Sequence, residues 1–400
     1  MSSRRVAQRL AIVGLTAALG LACEREPAPS PAPRASTPKS STPASPPPAT
    51  KTPAAPKPKG PPIRKDGTVF ADSELMGTRV SINVWAGPPA AADGVGAEKA
   101  IRAAFDEMAR LEQILSEWRP NSELSRLSNA AGGPARPLSP ELLDVLVRSR
   151  AIASATSGAF DPTFHGVGQL WSFAPGATPP TRAEVEAKLP LVDWHELELD
   201  ETAGTGRLSK PGMKLGLGAI GKGFAADEAS ALLARMGFPN HVVEVGGDTY
   251  AAGTKDGKPW MVGIQRPGER GVVGALPSRN LAVVTSGDYQ RYFEHEGTRY
   301  SHILDPQTGW PVPADRSPKS VTLVASNATD ADAYCTAVAV MGVEAGMTFV
   351  ETHEGLEAVI ITQDDQVEVS TGLRAQLVRP PAAPNDKTPA PPQTGAAGGG

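Results

Sequence analysis

A long proline- and alanine-rich segment near the N terminus limits how much of this chain can fold. Residues 24–66 consist mainly of Pro, Ala, Ser, Thr and Lys. Such a segment buries too little apolar surface to offset its ordering entropy, and its prolines favour an extended, semi-rigid spacer. Residues 379–400 have the same character. We therefore expect the folded region to span residues 67–378, as one large domain or two closely packed lobes.

The first 23 residues have the pattern of a targeting segment. Arginines precede an apolar run over residues 10–22, which is too short for a comfortable transmembrane helix. The run ends at Cys23, as in a bacterial lipobox, although Gly20 stands where an aliphatic residue is usual. We expect a periplasmic protein anchored to a bacterial membrane through a lipidated Cys23; the alternative is a signal peptide cleaved nearby. Cys335, the only other cysteine, would then be a buried apolar residue.

Strand and helix patterns follow one another irregularly within the folding region. Period-2 alternation predicts a strand over 78–84, and further strands are expected at 241–245, 260–264, 281–284, 321–325 and 358–362. Helices are predicted over 96–117, 140–156, 222–236 and 330–341. Several strands pair as hairpins, so we predict an α+β fold of mixed, mainly antiparallel sheets with packed helices. The net charge of −4 and the lack of a basic block in this region argue against a nucleic-acid partner.

Residues 285–309 carry an unusual density of groups that donate, accept and titrate. Strands over 289–294 and 299–304 around a Glu296-Gly297 turn would place residues 285–287 and 302–309 at the ends of a hairpin. His302 has the intrinsic pKa of a general base, and Asp305 is a second candidate. The alternative is a solvated hairpin with one surface histidine.

The glycine-rich residues 215–227 match two nucleotide-binding patterns incompletely. Gly216, Gly218 and Gly221 fit the dinucleotide fingerprint, but only residues 213–215 are available for the strand before them. A Walker A loop would need Ser or Thr where Gly223 stands. Either way, a helix N-terminus with free amides beside Lys222 is an anion site. A nicotinamide-dependent oxidoreductase stays open as an alternative.

Asp332 and Thr336 share one face near the start of a helix that we expect Thr329 to cap. A hard cation such as Mg²⁺ accepts a carboxylate, a hydroxyl, a carbonyl and phosphate oxygens. The alternative is that Asp332 belongs to a capping box and Thr336 only packs. Asp161, before Pro162, has a comparable alternative as the acceptor of an Asx turn.

Taken together, several separated motifs resemble the ApbE-type FAD:protein FMN transferases, flavin-processing lipoproteins of the bacterial periplasm. The motifs are residues 76–78 (MGT), 116–124 (SEWRPNSEL), 158–163 (GAFDPT), 170–173 (LWSF), 219–227 (AIGKGFAAD), 245–248 (VGGD), 285–289 (TSGDY), 302–306 (HILDP) and 332–336 (DAYCT).

The resemblance implies a T-fold-like domain that takes FAD as its substrate and Mg²⁺ as its cofactor. Such enzymes move FMN onto a Thr or Ser hydroxyl of a membrane-bound redox protein and release AMP. The FAD contacts that it implies are Met76, Trp118, Ala159, Phe160, Asp161, Lys222, Thr285 and Ile303. The implied metal ligands are the carbonyl of Ala219 and the side chains of Asp332 and Thr336. His302 is the candidate for proton transfer.

One position departs from the family pattern, because Gly216 stands where many relatives have an aspartate that contacts the nucleotide. Two further alternatives also stay open. Some relatives hydrolyse FAD to FMN and AMP, and the chain could instead be a non-catalytic flavin-binding lipoprotein.

Overall fold

An antiparallel sheet of eight strands forms the centre of the molecule, in the order β1-β2-β6-β7-β10-β13-β14-β15. The computed structural model describes residues 63–174, 176–289 and 291–379. The strands are β1 (Thr68–Leu75), β2 (Thr78–Trp85), β3 (Arg136–Pro137), β4 (Leu197–Asp200), β5 (Thr205–Leu208), β6 (His241–Val245), β7 (Asp248–Ala252), β8 (Trp260–Gln265), β9 (Val272–Ser278), β10 (Leu281–Gly287), β11 (Tyr292–His295), β12 (Thr298–Ser301), β13 (Ser320–Ala325), β14 (Glu357–Ile361) and β15 (Val367–Val369).

The helices lie between these strands in the chain. They are α1 (Gly94–Leu115), α2 (Glu123–Asn129), α3 (Pro140–Ala155), α4 (His165–Gly168), α5 (Arg182–Lys188), α6 (Gly221–Arg235), α7 (Ala328–Met341) and α8 (Val343–Thr352). Short 3₁₀ helices occupy Leu189–Leu191, Trp194–Glu196 and Thr371–Leu373. The described part of the chain contains no helix whose length and apolar character would let it cross a bilayer.

The central strands are covered on both faces, which explains why β13 is buried along its whole length. Leu323 packs into the main core, formed with α1, α6 and α7, whereas its neighbour Val324 packs into a second core with β8 and β9. Successive side chains of a strand point to opposite faces, so one strand serves both cores. The predicted α+β fold with mainly antiparallel sheets is confirmed, and the described residues lie in one unit.

Local sequence signals located most of the large helices correctly. Of the four residues whose spacing predicts α1, Met108, Leu111 and Leu115 are buried and Phe105 is half-buried against the core. The sequence Ser139-Pro140 predicts an N-cap followed by proline at the first helical position, and the hydroxyl of Ser139 does accept from Leu142 N at the start of α3. The predicted signal segment, Cys23, most of the spacer and nearly all of the tail lie outside the described residues, and the domain limits stay predictions.

Two local predictions were wrong. The N-cap of α7 is Asn327, whose side chain accepts from Asp330 N; Thr329 lies inside the helix. Residues 285–287 belong to β10 of the main sheet, because Thr285 pairs with Thr322 of β13. They are therefore not an end of the hairpin that β11 and β12 form around Glu296-Gly297.

Candidate functional site

Two tight turns lie side by side at one end of the main sheet. Met76 and Gly77 join β1 to β2 with φ angles of 53° and 69°. Gly246 and Gly247 join β6 to β7 with φ angles of 58° and 102°. A Cβ on Gly246 would lie 2.5 Å from the Thr78 hydroxyl oxygen, so this close approach requires glycine. The turns bring the half-buried Met76 and the start of β7 to the same end of the sheet.

Helices α6 and α7 meet at their N-terminal ends beside this part of the sheet. A Cβ on Gly223 would lie 2.1 Å from the carbonyl oxygen of Ala328, so the two backbones are in direct contact. The Asp227 carboxylate accepts from Ala328 N at 2.9 Å and from Thr329 N at 2.8 Å. This contact places the first turn of α7 against Lys222.

Lys222 lies between two carboxylates in the resulting cluster. Its Nζ is 3.0 Å from Asp332 Oδ1 and 3.0 Å from Asp248 Oδ2. Both aspartate side chains are only 2% exposed. Asp332 Oδ2 also accepts from Gly223 N at 3.2 Å. The predicted anion site is therefore not free for a ligand, because the Asp332 carboxylate already binds Lys222 Nζ and Gly223 N.

The electrostatics of the cluster follow from its burial. Burial opposes the charge on Lys222, but the charges of Asp248 and Asp332 outweigh it, and the pKa of Lys222 is raised. Burial, together with the neighbouring Asp332, raises the pKa of Asp248 to about 8. Asp248 Oδ2 is buried and lacks a hydrogen bond of good geometry. Two buried carboxyl groups facing one ammonium supply more oxygens than the ammonium alone can engage, and that donor set fits a hard divalent cation.

The residues predicted to hold a metal lie around this cluster. Ala219 is half-buried just before α6, Asp332 is buried, and Thr336 is half-buried one turn further along α7. The described residues contain no group of three or more His, Cys, Asp or Glu side chains placed to hold a metal. The predicted set uses one carboxylate, one hydroxyl and one carbonyl, and it stays a prediction.

His302 follows β12 directly and is half-buried. Its Nδ1 lies 3.1 Å from the carbonyl oxygen of Arg291, which can only accept, so Nδ1 carries the proton and donates it. The other ring nitrogen, Nε2, keeps its lone pair, as a general base requires. Burial lowers the pKa of His302 to about 4, and the positive charges of Arg291 and Lys222 add to this effect. The imidazole is therefore neutral at pH 7.

Asp305, the second candidate base, holds a turn. One of its carboxylate oxygens accepts from Gln307 N at 2.9 Å, and its carbonyl accepts from Gly309 N at 2.8 Å. Asp161 is similar: its Oδ1 accepts from Thr163 N at 2.8 Å and its Oδ2 from Trp194 N at 3.2 Å. Both carboxylates thus have a structural use, and for Asp161 this is the Asx-turn alternative.

The remaining predicted FAD contacts differ in exposure. The Trp118 side chain is 74% exposed, with its ring edge-on to His165 at 5.3 Å. Ala159, Phe160 and Ile303 are buried, and the Thr285 hydroxyl lies 2.9 Å from that of Thr322. A cleft of about 170 Å³ runs between the segments around Asp161 and Pro306, and it is lined by Gly158, Asp161, Val192, Asp193, Trp194, His195, Pro306 and Gln307.

Three acidic residues of the site were not predicted to act in it. Asp248 contacts Lys222, and Asp227 contacts the start of α7. Glu117 Oε2 accepts from Leu217 N at 3.4 Å and so supports the glycine-rich segment. Burial raises the pKa of Glu117. All three lie within sequence motifs, but only their positions in space indicate what they contact.

Comparisons with known proteins agree with one another. A family model described as the ApbE family matches residues 76–360. An FAD:protein FMN transferase of Treponema pallidum (strain Nichols) is 34% identical over 317 residues, covering 75% of this chain and 86% of that protein. An FAD:protein FMN transferase of Klebsiella pneumoniae (strain 342) is 29% identical over 316 residues, covering 78% of this chain and 95% of that protein.

Solved structures of ApbE proteins also match this chain. The ApbE protein of Thermotoga maritima has a TM-score of 0.69 and 30% identity, covering 77% of this chain and 99% of that chain. The flavin transferase ApbE from Vibrio cholerae has a TM-score of 0.68 and 28% identity, covering 78% of this chain and 99% of that chain.

The alternative of a nicotinamide-dependent oxidoreductase is wrong. No strand directly precedes the glycines within the described residues 209–220, and the main sheet is antiparallel.

Proposed function

Because this chain belongs to the ApbE family, we propose that it is an FAD:protein FMN transferase. The acceptor is a Thr or Ser hydroxyl of a membrane-bound redox protein. In the reaction the hydroxyl oxygen forms a bond to the FMN phosphorus of FAD. The bond between that phosphorus and the bridging oxygen breaks, AMP leaves with the bridging oxygen, and the hydroxyl proton goes to a base.

The observation that carries the proposal is the position of one lysine. Lys222 lies at the N-terminal end of α6, between two buried carboxylates and next to the start of α7. Transfer of a phosphoryl group depends on positioning and on neutralising negative charge. The ammonium and the amides of two helix N-termini supply donors at a fixed place, as a diphosphate requires, and a bound cation would offset the two carboxyl groups.

His302 is the base in this proposal. Its Nδ1–H is held by the carbonyl of Arg291, which leaves Nε2 to take the proton of the acceptor hydroxyl. A neutral imidazole at working pH is what a general base needs. Asp305 keeps the following turn in place through its bond to Gln307 N and so supports the segment that carries His302.

Mg²⁺ is the proposed cofactor, held by the Ala219 carbonyl, Asp332 and Thr336. A bound Mg²⁺ would neutralise charge on the transferring phosphoryl group and on the leaving AMP. The chain's own contribution is to orient that ligand set: Gly223 N donates to the Asp332 carboxylate and holds it in place.

The exposed ring of Trp118 is the proposed stacking surface for FAD. Together with Met76, Ala159, Phe160, Asp161, Thr285 and Ile303, it would bound the substrate. An exposed aromatic face suits a planar ring system that must enter and leave. The Asp161 carboxylate keeps its place in the Asx turn in this arrangement.

The location of the protein is part of the same proposal. A lipidated Cys23 would anchor the chain to a bacterial membrane from the periplasmic side, where the acceptor protein is also bound. If residues 24–66 are extended, as their composition predicts, they would reach on the order of 100 Å, and the distance to a partner in that membrane would not be limiting. Mass spectrometry of the mature N terminus tests this, and an unacylated terminus would remove the anchor.

The decisive experiment supplies purified protein with FAD, Mg²⁺ and a peptide that carries an acceptor threonine. We expect AMP release together with covalent flavin fluorescence on the peptide. A matched peptide with alanine at the acceptor position should stay unlabelled. Release of AMP and free FMN without labelling would make the protein an FAD hydrolase, and no AMP at all would make it a flavin-binding protein.

A further inference from the structure

We propose that Asp248 and Asp332 form one cation site in which the ammonium of Lys222 takes the place of the metal. Mg²⁺ must then displace Lys222 from Asp332 before the site can act. Asp248 retains the displaced lysine close to the substrate. This inference rests on the proposed function, which supplies the metal.

The contacts of Lys222 are those of a cation in a ligand cage. Its Nζ lies 3.0 and 3.1 Å from the two oxygens of Asp332 and 3.2 Å from the carbonyl of Gly218. Asp248 Oδ2 is a further oxygen at 3.0 Å. Carboxylate and carbonyl oxygens around one point are the ligands that a hard cation takes.

The two carboxylates are not equivalent. Asp332 has a second partner in Gly223 N at 3.2 Å, which holds it in place when the ammonium leaves. Asp248 Oδ2 is buried without a hydrogen bond of good geometry, although the ammonium is within ion-pair distance. A buried oxygen left in this state is costly, so Asp248 has spare capacity for a closer contact with a cation.

The oxygens around Lys222 account for the direction of the exchange. Four oxygens lie within 3.2 Å of Lys222 Nζ, one more than its three N–H groups can satisfy, and such an oxygen set suits a divalent cation. A divalent ion carries one more positive charge than the ammonium that it displaces, which suits the negative charge of a diphosphate. The cluster is therefore poised to take the metal first and the substrate second.

This arrangement predicts effects of opposite sign for two substitutions. Removing the lysine removes the competitor, so Lys222→Met should bind metal at least about tenfold more tightly without FAD, and should bind FAD more weakly with Mg²⁺ present. Removing the carboxylate of Asp248 should instead weaken metal binding. We expect Asp248→Asn to bind the metal at least about tenfold more weakly than the unchanged protein.

The experiment measures metal binding to the full chain in the absence of FAD. The probe is Mn²⁺, followed by electron paramagnetic resonance, with Mg²⁺ competition to place the two ions at one site. Asp72→Asn serves as the control, because it removes one negative charge from an exposed ion pair between Asp72 on β1 and Arg79 on β2. Its metal affinity should equal that of the unchanged protein.

A double substitution keeps the test decisive if Lys222→Met alone does not fold. Lys222→Met combined with Asp248→Asn leaves no uncompensated carboxylate pair and should bind Mn²⁺ about tenfold more tightly than Asp248→Asn alone. Equal affinity of these two proteins, or a Lys222→Met protein that binds metal no more tightly than the unchanged one, would overturn the inference. If the unchanged protein neither binds Mn²⁺ nor releases AMP from FAD, the proposed function itself fails.

Discussion

The carboxylate of Asp227, on helix α6, binds the first turn of helix α7 through Thr329. Its Oδ2 accepts from the backbone nitrogen of Thr329 at 2.8 Å and from the hydroxyl of the same residue at 2.5 Å. Burial raises the pKa of Asp227, and these hydrogen bonds work in the opposite direction. The pair fixes the position of α7, and hence of Asp332, relative to Lys222.

Asp227→Asn tests this coupling between the helices. The amide cannot accept from both backbone nitrogens, so we expect a loss of about 1–3 kcal/mol in the free energy of unfolding. We also expect weaker Mn²⁺ binding, because Asp332 would no longer be held at the right distance. Denaturant unfolding and a metal titration measure the two effects.

Asn327→Ala is the matched control for that substitution. It removes the other side chain that caps α7, through Asp330 N, at a cost of about 1 kcal/mol, but it does not touch α6. Metal affinity should stay unchanged. Equal losses of metal affinity in the two variants would show that Asp227 acts only as a cap.

Gly223→Ala should separate α6 from α7. The added Cβ would lie 2.1 Å from the carbonyl oxygen of Ala328, a backbone atom that cannot move alone. We expect a loss of about 1–3 kcal/mol or more in the free energy of unfolding. Gly221→Ala, on the same helix, meets only an ordinary contact at 3.8 Å and should leave stability unchanged or raise it slightly. Thermal unfolding of both proteins makes the comparison, and equal melting temperatures would contradict it.

His302→Ala should reduce turnover by about a hundredfold while FAD binding stays largely intact. Since the pKa of His302 is lowered to about 4, activity should persist as the pH falls below 6.5 and decline only near pH 4–5. Rates of AMP release between pH 4 and 8 measure both effects. His295→Ala, which removes a histidine at the tip of the β11–β12 hairpin, is the control. Unchanged turnover would make His302 a structural residue.

His241 should make the fold sensitive to acid. Its Nδ1 lies 2.8 Å from the carbonyl of Phe238 and its Nε2 2.8 Å from the Ser230 hydroxyl, so the buried ring is neutral. Burial lowers its pKa to about 4. Between pH 6.5 and 4 the unfolded chain binds the proton and the folded chain does not, so stability falls with falling pH by up to about 3 kcal/mol.

Denaturant unfolding at pH 7 and pH 4.5 measures this loss, and His241→Gln should reduce it. The variant will be less stable at pH 7, so the informative quantity is the difference between the two pH values within each protein. An identical difference in the two proteins would assign the acid sensitivity to other groups, among them His302.

The sequence by itself determined the elements whose signals are local. The spacing of Phe105, Met108 and Leu111 predicted α1 and the Ser139 cap predicted α3, because periodicity and capping act within a few residues. The hairpin turn at Glu296-Gly297 is equally local, since both residues take positive φ angles. Several separated motifs likewise sufficed for the family resemblance.

Only the tertiary structure decided which of those motifs form the site. Lys222 and Asp332 are 110 residues apart in the chain and meet because α6 and α7 touch at Gly223. The sheet register placed Thr285 in β10, and the end of the sheet brought Asp248 to the same lysine. Long-range packing and burial produce these contacts and shift their pKa values, and neither can be read from neighbouring residues.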